Sequence, residues 1–296
     1  MRLGLSLSSG GLLLPYHLGV LDCLQANQVL THETPIAGAS AGAIAVATKA
    51  CSIDSKRILD ATIDISKRCE ELGRARGNLM PLLRHHLEYH IADNHFEHLQ
   101  DRPGETVLTY HELFPSFRAV HQVDFEHKED LIDTICHSSA FPFFTSDWPV
   151  HIDKRANNKK PTIITFGTKK FNLQVPRLVV DGHFAVPTDR FGCPDFELAG
   201  VDNVDRTILV TVFPREIVLG TKKSLPPEDC ICPKLQEDSF RQSMDLLRLA
   251  TQPSTPSELI SLYDSGYTDA EEWCRNEERR KRDGFLENVE NDRLSS

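Results

Sequence analysis

The chain has 296 residues, of which 40% are apolar and 26% charged, and its net charge is −10. That length can bury a large core, as one generous α/β domain or two small ones, and the composition is that of an ordinary globular protein. The acidic balance excludes nucleic acid as a partner, which needs a concentrated basic face. It also gives no long-range pull toward anionic membranes, so any lipid contact has to be apolar and local.

Residues 2–7 alternate as a short strand and run into the turn Ser8-Ser9-Gly10-Gly11. From Leu12 to about Gln28, Leu14, His17, Leu18, Leu21 and Leu24 recur at helical spacing. A short apolar segment, 35–39, predicts a second strand, which breaks at Gly38-Ala39-Ser40-Ala41-Gly42 into an alanine-rich helix reaching Ala50. Strand, glycine turn and helix, twice over, predict a parallel α/β sheet. Further helices are expected over 54–71, 80–99, 129–139, 234–250 and from 256 toward 282. Strands are expected over 106–112, 117–125, 162–167, 176–181 and 207–213. Nothing resembling a linker divides the chain, so residues 1–270 are expected to form one domain, followed by a charged tail, 271–296, that is helical or frayed.

Pro15, Tyr16 and His17 interrupt the N-terminal apolar stretch, which argues against a secretory signal, and no apolar run is long enough to span a bilayer. Eight cysteines without Cys-x-x-Cys spacing, together with the lack of an Asn-x-Ser/Thr sequon, read as free thiols of an intracellular protein. Histidines 85, 86, 90, 95 and 98 lack a His-Glu-x-x-His pattern and are expected on a solvated helix, so no metal and no cofactor is expected. The run Arg279-Arg280-Lys281-Arg282 is neutralised by Glu277, Glu278 and Asp283.

The chemistry-bearing pattern is Gly38-x-Ser40-x-Gly42 between a strand and a helix. A nucleophile on such a tight turn needs tiny flanking residues, and the helix N-terminus supplies positive potential for a developing oxyanion. The candidate base is Asp181, at the end of the apolar strand Leu178-Val179-Val180 and followed by Gly182. A Ser-His-Asp triad fits badly, because after Asp181 the only histidine is His183, too close in sequence to reach between Asp181 and Ser40. A direct Ser40–Asp181 dyad fits. The oxyanion donors are expected from the amides of Gly10, Gly11 and Ala41. The aromatic group Phe141, Phe143, Phe144 and Trp148 is the candidate for an acyl pocket.

Three of these features, Ser9-Gly10-Gly11 after the first strand, Gly38 to Gly42, and Asp181-Gly182, resemble the signatures of the patatin-like phospholipases, in that family's order. His137-Ser138-Ser139-Ala140-Phe141-Pro142 resembles the family's small-residue helix ending at a proline beside the site. Tyr16-His17-Leu18-Gly19-Val20, Arg76-Gly77-Asn78-Leu79, Thr211-Val212-Phe213-Pro214 and Asp229-Cys230-Ile231-Cys232-Pro233 are similar to the adiponutrin and adipose triglyceride lipase branch. The resemblance implies a three-layer α/β fold with a mainly parallel central sheet flanked by helices. It also implies metal-free hydrolysis or transfer of fatty acyl esters from phospholipid, galactolipid or acylglycerol, at a membrane or lipid-droplet surface. Three positions depart from the family pattern: Ser9 and Leu14 stand where glycine is common, and His183 where Gly or Ala is common. The alternative reading is an inactive member that keeps the pocket as a lipid- or protein-binding module.

Overall fold

In a computed structural model, residues 2–153, 162–166, 169–173, 176–216 and 226–294 are described. The strands are β1 (Leu3–Leu7), β2 (Ile36–Ala39), β3 (Thr106–Phe114), β4 (Arg118–Gln122), β5 (His151–Asp153), β6 (Thr162–Phe166), β7 (Lys169–Leu173), β8 (Arg177–Val180), β9 (Arg206–Val210) and β10 (Cys230–Ile231). The helices are α1 (Leu14–Ala26), α2 (Ala41–Ala50), α3 (Ser55–Glu71), α4 (Leu79–His90), α5 (Asp93–Gln100), α6 (Lys128–Ser138), α7 (Ser239–Thr251) and α8 (Pro256–Leu294). The strand expected over 162–167 is β6; residue 167 lies outside the described residues. The helix expected over 80–99 is two helices, because the chain leaves helical geometry at Ile91, where φ and ψ are −89° and 85°. Three strands too short or too polar to show periodicity, β5, β7 and β10, were not expected from the sequence.

One hydrogen-bonded path runs β10-β9-β1-β2-β3-β8-β5, with β4 also paired to β3. Its centre is parallel: β10 with β9, β9 with β1, β1 with β2, and β2 with β3. All four residues of β2 and the last four of β1 are buried, as in a sheet covered on both faces. Leu7 lies beside Gly38, so the turn after β1 and the turn after β2 emerge side by side.

The other end of the path is antiparallel, and its register locates the site. Leu108 and Thr109 of β3 pair with β4 and also with β2, whereas His111 and Glu112 pair with β4 and also with β8. A strand has two edges, so β2 and β8 occupy the same edge of β3, one after the other. They run in opposite directions, and their C-terminal ends face each other across the level of Tyr110. Ala39, opposite Thr109, and Val180, opposite His111, are the last residues of the two strands. The expected division after residue 270 falls inside α8, where Ala270, Trp273 and Cys274 are buried against the body.

α8 crosses α1 at close range. A Cβ on Gly19 would collide with the Tyr263 carbonyl, and one on Gly266 with the Tyr16 carbonyl. Two tyrosines close the crossing, with Tyr16 Oη donating to Asp269 and Tyr263 Oη to Asp22, both at 2.8 Å. Gly19→Val is therefore expected to destabilise the fold by at least ~2 kcal/mol, read as a lower denaturant midpoint at unchanged slope.

Candidate active site

Ser40 joins β2 to α2 with φ 54° and ψ −119°, a backbone conformation that costs a non-glycine residue about 1–3 kcal/mol and persists only where its surroundings impose it. Those surroundings are backbone. A Cβ on Gly38 would strike the Gly42 carbonyl, and one on Gly42 would sit 2.5 Å from the Leu7 carbonyl oxygen. The crowding that the Gly-x-Ser-x-Gly pattern implied thus comes from within the turn at Gly38 and from the end of β1 at Gly42. Ser138, at the end of α6, braces the turn: it accepts the Ser40 N–H at 2.8 Å and donates to the Thr109 carbonyl at 2.6 Å. Sequence reading grouped Ser138 with the small-residue helix but gave it no task. Only the proximity of α6 to β3 reveals one.

The Ser40 hydroxyl donates to Asp181 Oδ2 at 2.8 Å, joining residues 141 positions apart. The other carboxylate oxygen accepts the His183 N–H at 2.8 Å. Asp181 enters from β8, which is antiparallel to β3, and not from the end of a parallel strand. The head-on meeting of β2 and β8 brings the two residues together. Gly182 follows because a Cβ there would collide with the Thr109 carbonyl and press on Ala39. Asp181 is fully buried, and burial pushes its carboxyl up from the usual 3.8 to about 7, against the opposing pull of the bonds from His183 and Ser40. A carboxyl so placed is poised to exchange a proton with a hydroxyl near neutral pH.

The turn after β1 completes the arrangement. The Ser8 carbonyl accepts from Gly42 N–H at 3.1 Å and from His17 Nε2 at 2.9 Å. Burial pushes the His17 imidazole down to about 4, so it stays neutral with its proton on Nε2. Gly11 has φ +56°, and a Cβ on it would strike the Ala250 carbonyl. Ser9 is not among the residues with positive φ, so serine adds no left-handed strain where glycine is common. Its hydroxyl lies 2.9 Å from His183 Nδ1. That contact ties the imidazole to the loop and leaves it out of the Ser40–Asp181 line.

Ser40, Gly10, Gly11 and Ala41 open onto a cavity of about 380 Å³. Ala41 begins α2, so its N–H is one of those at a helix start that lack an intrahelical acceptor. The walls are apolar: Leu12, Leu14, Ile44, Ile65, Leu79, Leu83, Phe213 and Leu247 line them, with Phe141 and Phe144. The remaining two of the expected aromatic group are corrected. Phe143 and Trp148 do not line the cavity; they are 53% and 73% exposed. Phe143 adopts φ 57°, a left-handed kink in the turn after α6, and its ring lies under the Arg76 guanidinium at 5.4 Å. Leu14, at a position where glycine is common, is cavity wall. The contributions of α3, α4 and α7 were missed because the inner face of an amphipathic helix reads the same whether it meets core or cavity.

A family model for the patatin-like phospholipases matches residues 5–191, from β1 past Asp181. The chain belongs to the patatin-like phospholipase family. Members of that family are lipid acyl hydrolases, and the fold here is the patatin fold, a mostly parallel mixed sheet flanked by helices. The chain is also similar to the solved structure of VipD from Legionella pneumophila, with 11% identity and a TM-score of 0.47 over 93% of this chain and 67% of that one. No curated protein matches it.

The raised carboxyl has a consequence for stability. An acid whose folded pKa exceeds its unfolded one favours the fold fully below about 3.8, and that contribution is lost as pH rises through about 7. Asp181→Asn does not ionise. Thermal unfolding is expected to show the variant gaining on the wild type between pH about 4 and about 7, with a constant advantage above that.

Proposed function

We propose that this patatin-like chain hydrolyses fatty acyl esters through a Ser40–Asp181 dyad. The observation that carries the reading is the direct 2.8 Å hydrogen bond between a strained serine and a fully buried carboxyl, at the polar end of an apolar cavity. Ser40 Oγ attacks the ester carbonyl carbon while its proton passes to Asp181 Oδ2. The amides of Gly10, Gly11 and Ala41 stabilise the oxyanion, each donor of this kind contributing about 3 kcal/mol. Collapse of the intermediate expels the alkoxide, which takes the proton from Asp181 and leaves an acyl-Ser40 ester. Water then gives a proton to Asp181 and attacks the acyl carbonyl. The fatty acid leaves, and the proton returns to Ser40.

Among the described residues no Lys, Arg, Asp or Glu lines the cavity. That supports an uncharged ester, acylglycerol or galactolipid, ahead of an anionic phospholipid. The segments that resemble the adiponutrin and adipose triglyceride lipase branch lie at the same site: His17 holds the Ser8 carbonyl, and Val212 packs against Gly10. An inactive binding module would need the cavity but not a neutral-range carboxyl bonded to a serine hydroxyl.

No helix of the described residues is long and apolar enough to cross a membrane. A lipid surface is reached instead through side chains beside the cavity. Phe240, Met244 and Leu247 form an i, i+4, i+7 stripe on α7, 76%, 51% and 50% exposed, ending at the cavity wall. Such a stripe suits apolar, local contact with an acyl surface.

With a soluble short-chain nitrophenyl ester, Ser40→Ala and Asp181→Asn are each expected to lower kcat at least a thousandfold, about 4 kcal/mol. In the wild type kcat/KM should rise with pH and level off above about 7, as Asp181 ionises. Retained turnover in either variant would overturn the dyad. The pair Phe240→Ser and Met244→Ser is expected to lower hydrolysis of emulsified acylglycerol several-fold and leave the soluble ester untouched. Equal losses on both substrates would remove α7 from surface contact.

A further inference from the structure

Ser9 and His183 are two of the three positions at which the chain departs from its family's pattern, and the structure puts them in contact. Ser9 Oγ and His183 Nδ1 are 2.9 Å apart, joining residues 174 positions apart in sequence. His183 makes a second bond with its backbone, donating N–H to Asp181 Oδ1 at 2.8 Å. One residue therefore holds the base with its main chain and the glycine loop with its side chain.

We propose that His183 is a positioning residue, clamping the loop that carries the Gly10 and Gly11 amides to the turn that carries Asp181. The inference rests on the dyad reading and adds to it a specific coupling between oxyanion loop and base.

The loop needs such an anchor. Two consecutive glycines have more backbone freedom to lose than any other pair, so amides donated from them point accurately only if the flanking residues are fixed. Ser8 is fixed on the nucleophile's side: its N–H donates to the Val210 carbonyl, and its carbonyl accepts from Gly42 and His17. Beyond the glycines, Leu13 N–H bonds back to the Gly10 carbonyl, which closes the turn without tying it to the site. At Ser9 the main-chain bond to the Gly192 carbonyl is long, at 3.4 Å. The side-chain bond to His183 is the short contact from Ser9 to the base's side. Ser8 and Ser9 thus tie the loop to both partners of the dyad.

The chemistry of the contact suits a loaded site. Both residues line the cavity, and His183 is exposed. An acyl ester filling the cavity removes water from the pair, and a hydrogen bond strengthens as the local dielectric falls. The clamp is therefore tightest when the carbonyl is in place. Its loss is expected in the rate of the chemical step more than in substrate binding.

The test is a double-mutant cycle on the full chain with the nitrophenyl ester: Ser9→Ala, His183→Ala, the two combined, and His183→Asn. The Asn side chain carries a polar atom at the same position along the chain as Nδ1 of histidine. Each alanine variant is expected to lower kcat about tenfold, with KM changed less than about threefold, and the double variant to be no worse than the poorer single. His183→Asn is expected to recover most of the loss. A double variant whose loss is the product of the two singles, or an Asn variant as poor as Ala, overturns the proposal. Hydrogen exchange at the Gly10 and Gly11 amides gives a readout independent of turnover and should quicken in both alanine variants. Unchanged exchange overturns the clamp even if the wild type is an active esterase. Quickened exchange in a wild-type background that hydrolyses no ester keeps the clamp and sinks the dyad reading.

Discussion

Two strands ending head to head on one edge of β3 are the constraint from which the site follows. Ala39 stands opposite Thr109 and Val180 opposite His111, so the residues that continue the two strands are forced toward each other. Neither strand can go on, because each meets the other's end. The chain leaves β2 through Ser40 into α2, and leaves β8 through Asp181-Gly182 into a short helical turn over Gly182–Ala185. A hydroxyl and a carboxyl are left facing one another where no third residue fits between them. The direct hydrogen bond from Ser40 to Asp181, with no imidazole between them, is the result of this strand arrangement.

The same place is crowded with main chain, and that crowding explains its composition. Gly38, Gly42 and Gly182 each stand where a Cβ would strike a carbonyl oxygen of a neighbouring segment. Ser138 is small enough to slip between the Ser40 N–H and the Thr109 carbonyl and bond to both. Dense packing of backbone excludes water, and exclusion of water raises the Asp181 carboxyl to about 7. Tight turn, small residues and perturbed acid are therefore one effect seen at three levels. Its cost in stability, a carboxyl buried at the centre of the fold, is sustained by the surrounding core.

Outside the site the fold is tied together late in the chain. α8 packs on α1 through Gly19 and Gly266, and Arg206 of β9 pairs with Asp229 at 2.6 Å and with Glu277 of α8 at 2.7 Å. The family match ends at residue 191, yet β9 lies beside β1 in the middle of the sheet, and α7 forms part of the cavity wall. Residues after 191 therefore complete both the core and the site.

The sequence alone was enough for the local structure: the strand-turn-helix around Ser40, the glycine turn after β1, Asp181 at a strand end, and nearly every long helix. These are properties of neighbouring residues, set by period and by the steric demands of turns. It could not specify which edge of β3 takes β8 or in which direction, because that pairing joins residues far apart in the chain, such as His111 and Val180. The bond from Ser9 to His183, the brace at Ser138, the outward turn of Phe143 and Trp148, and the cavity walls from α3, α4 and α7 all depend on that pairing. An apolar helix face carries no mark of what it will meet. Only the closed sheet decided that some of those faces would enclose space beside a serine and not fill it.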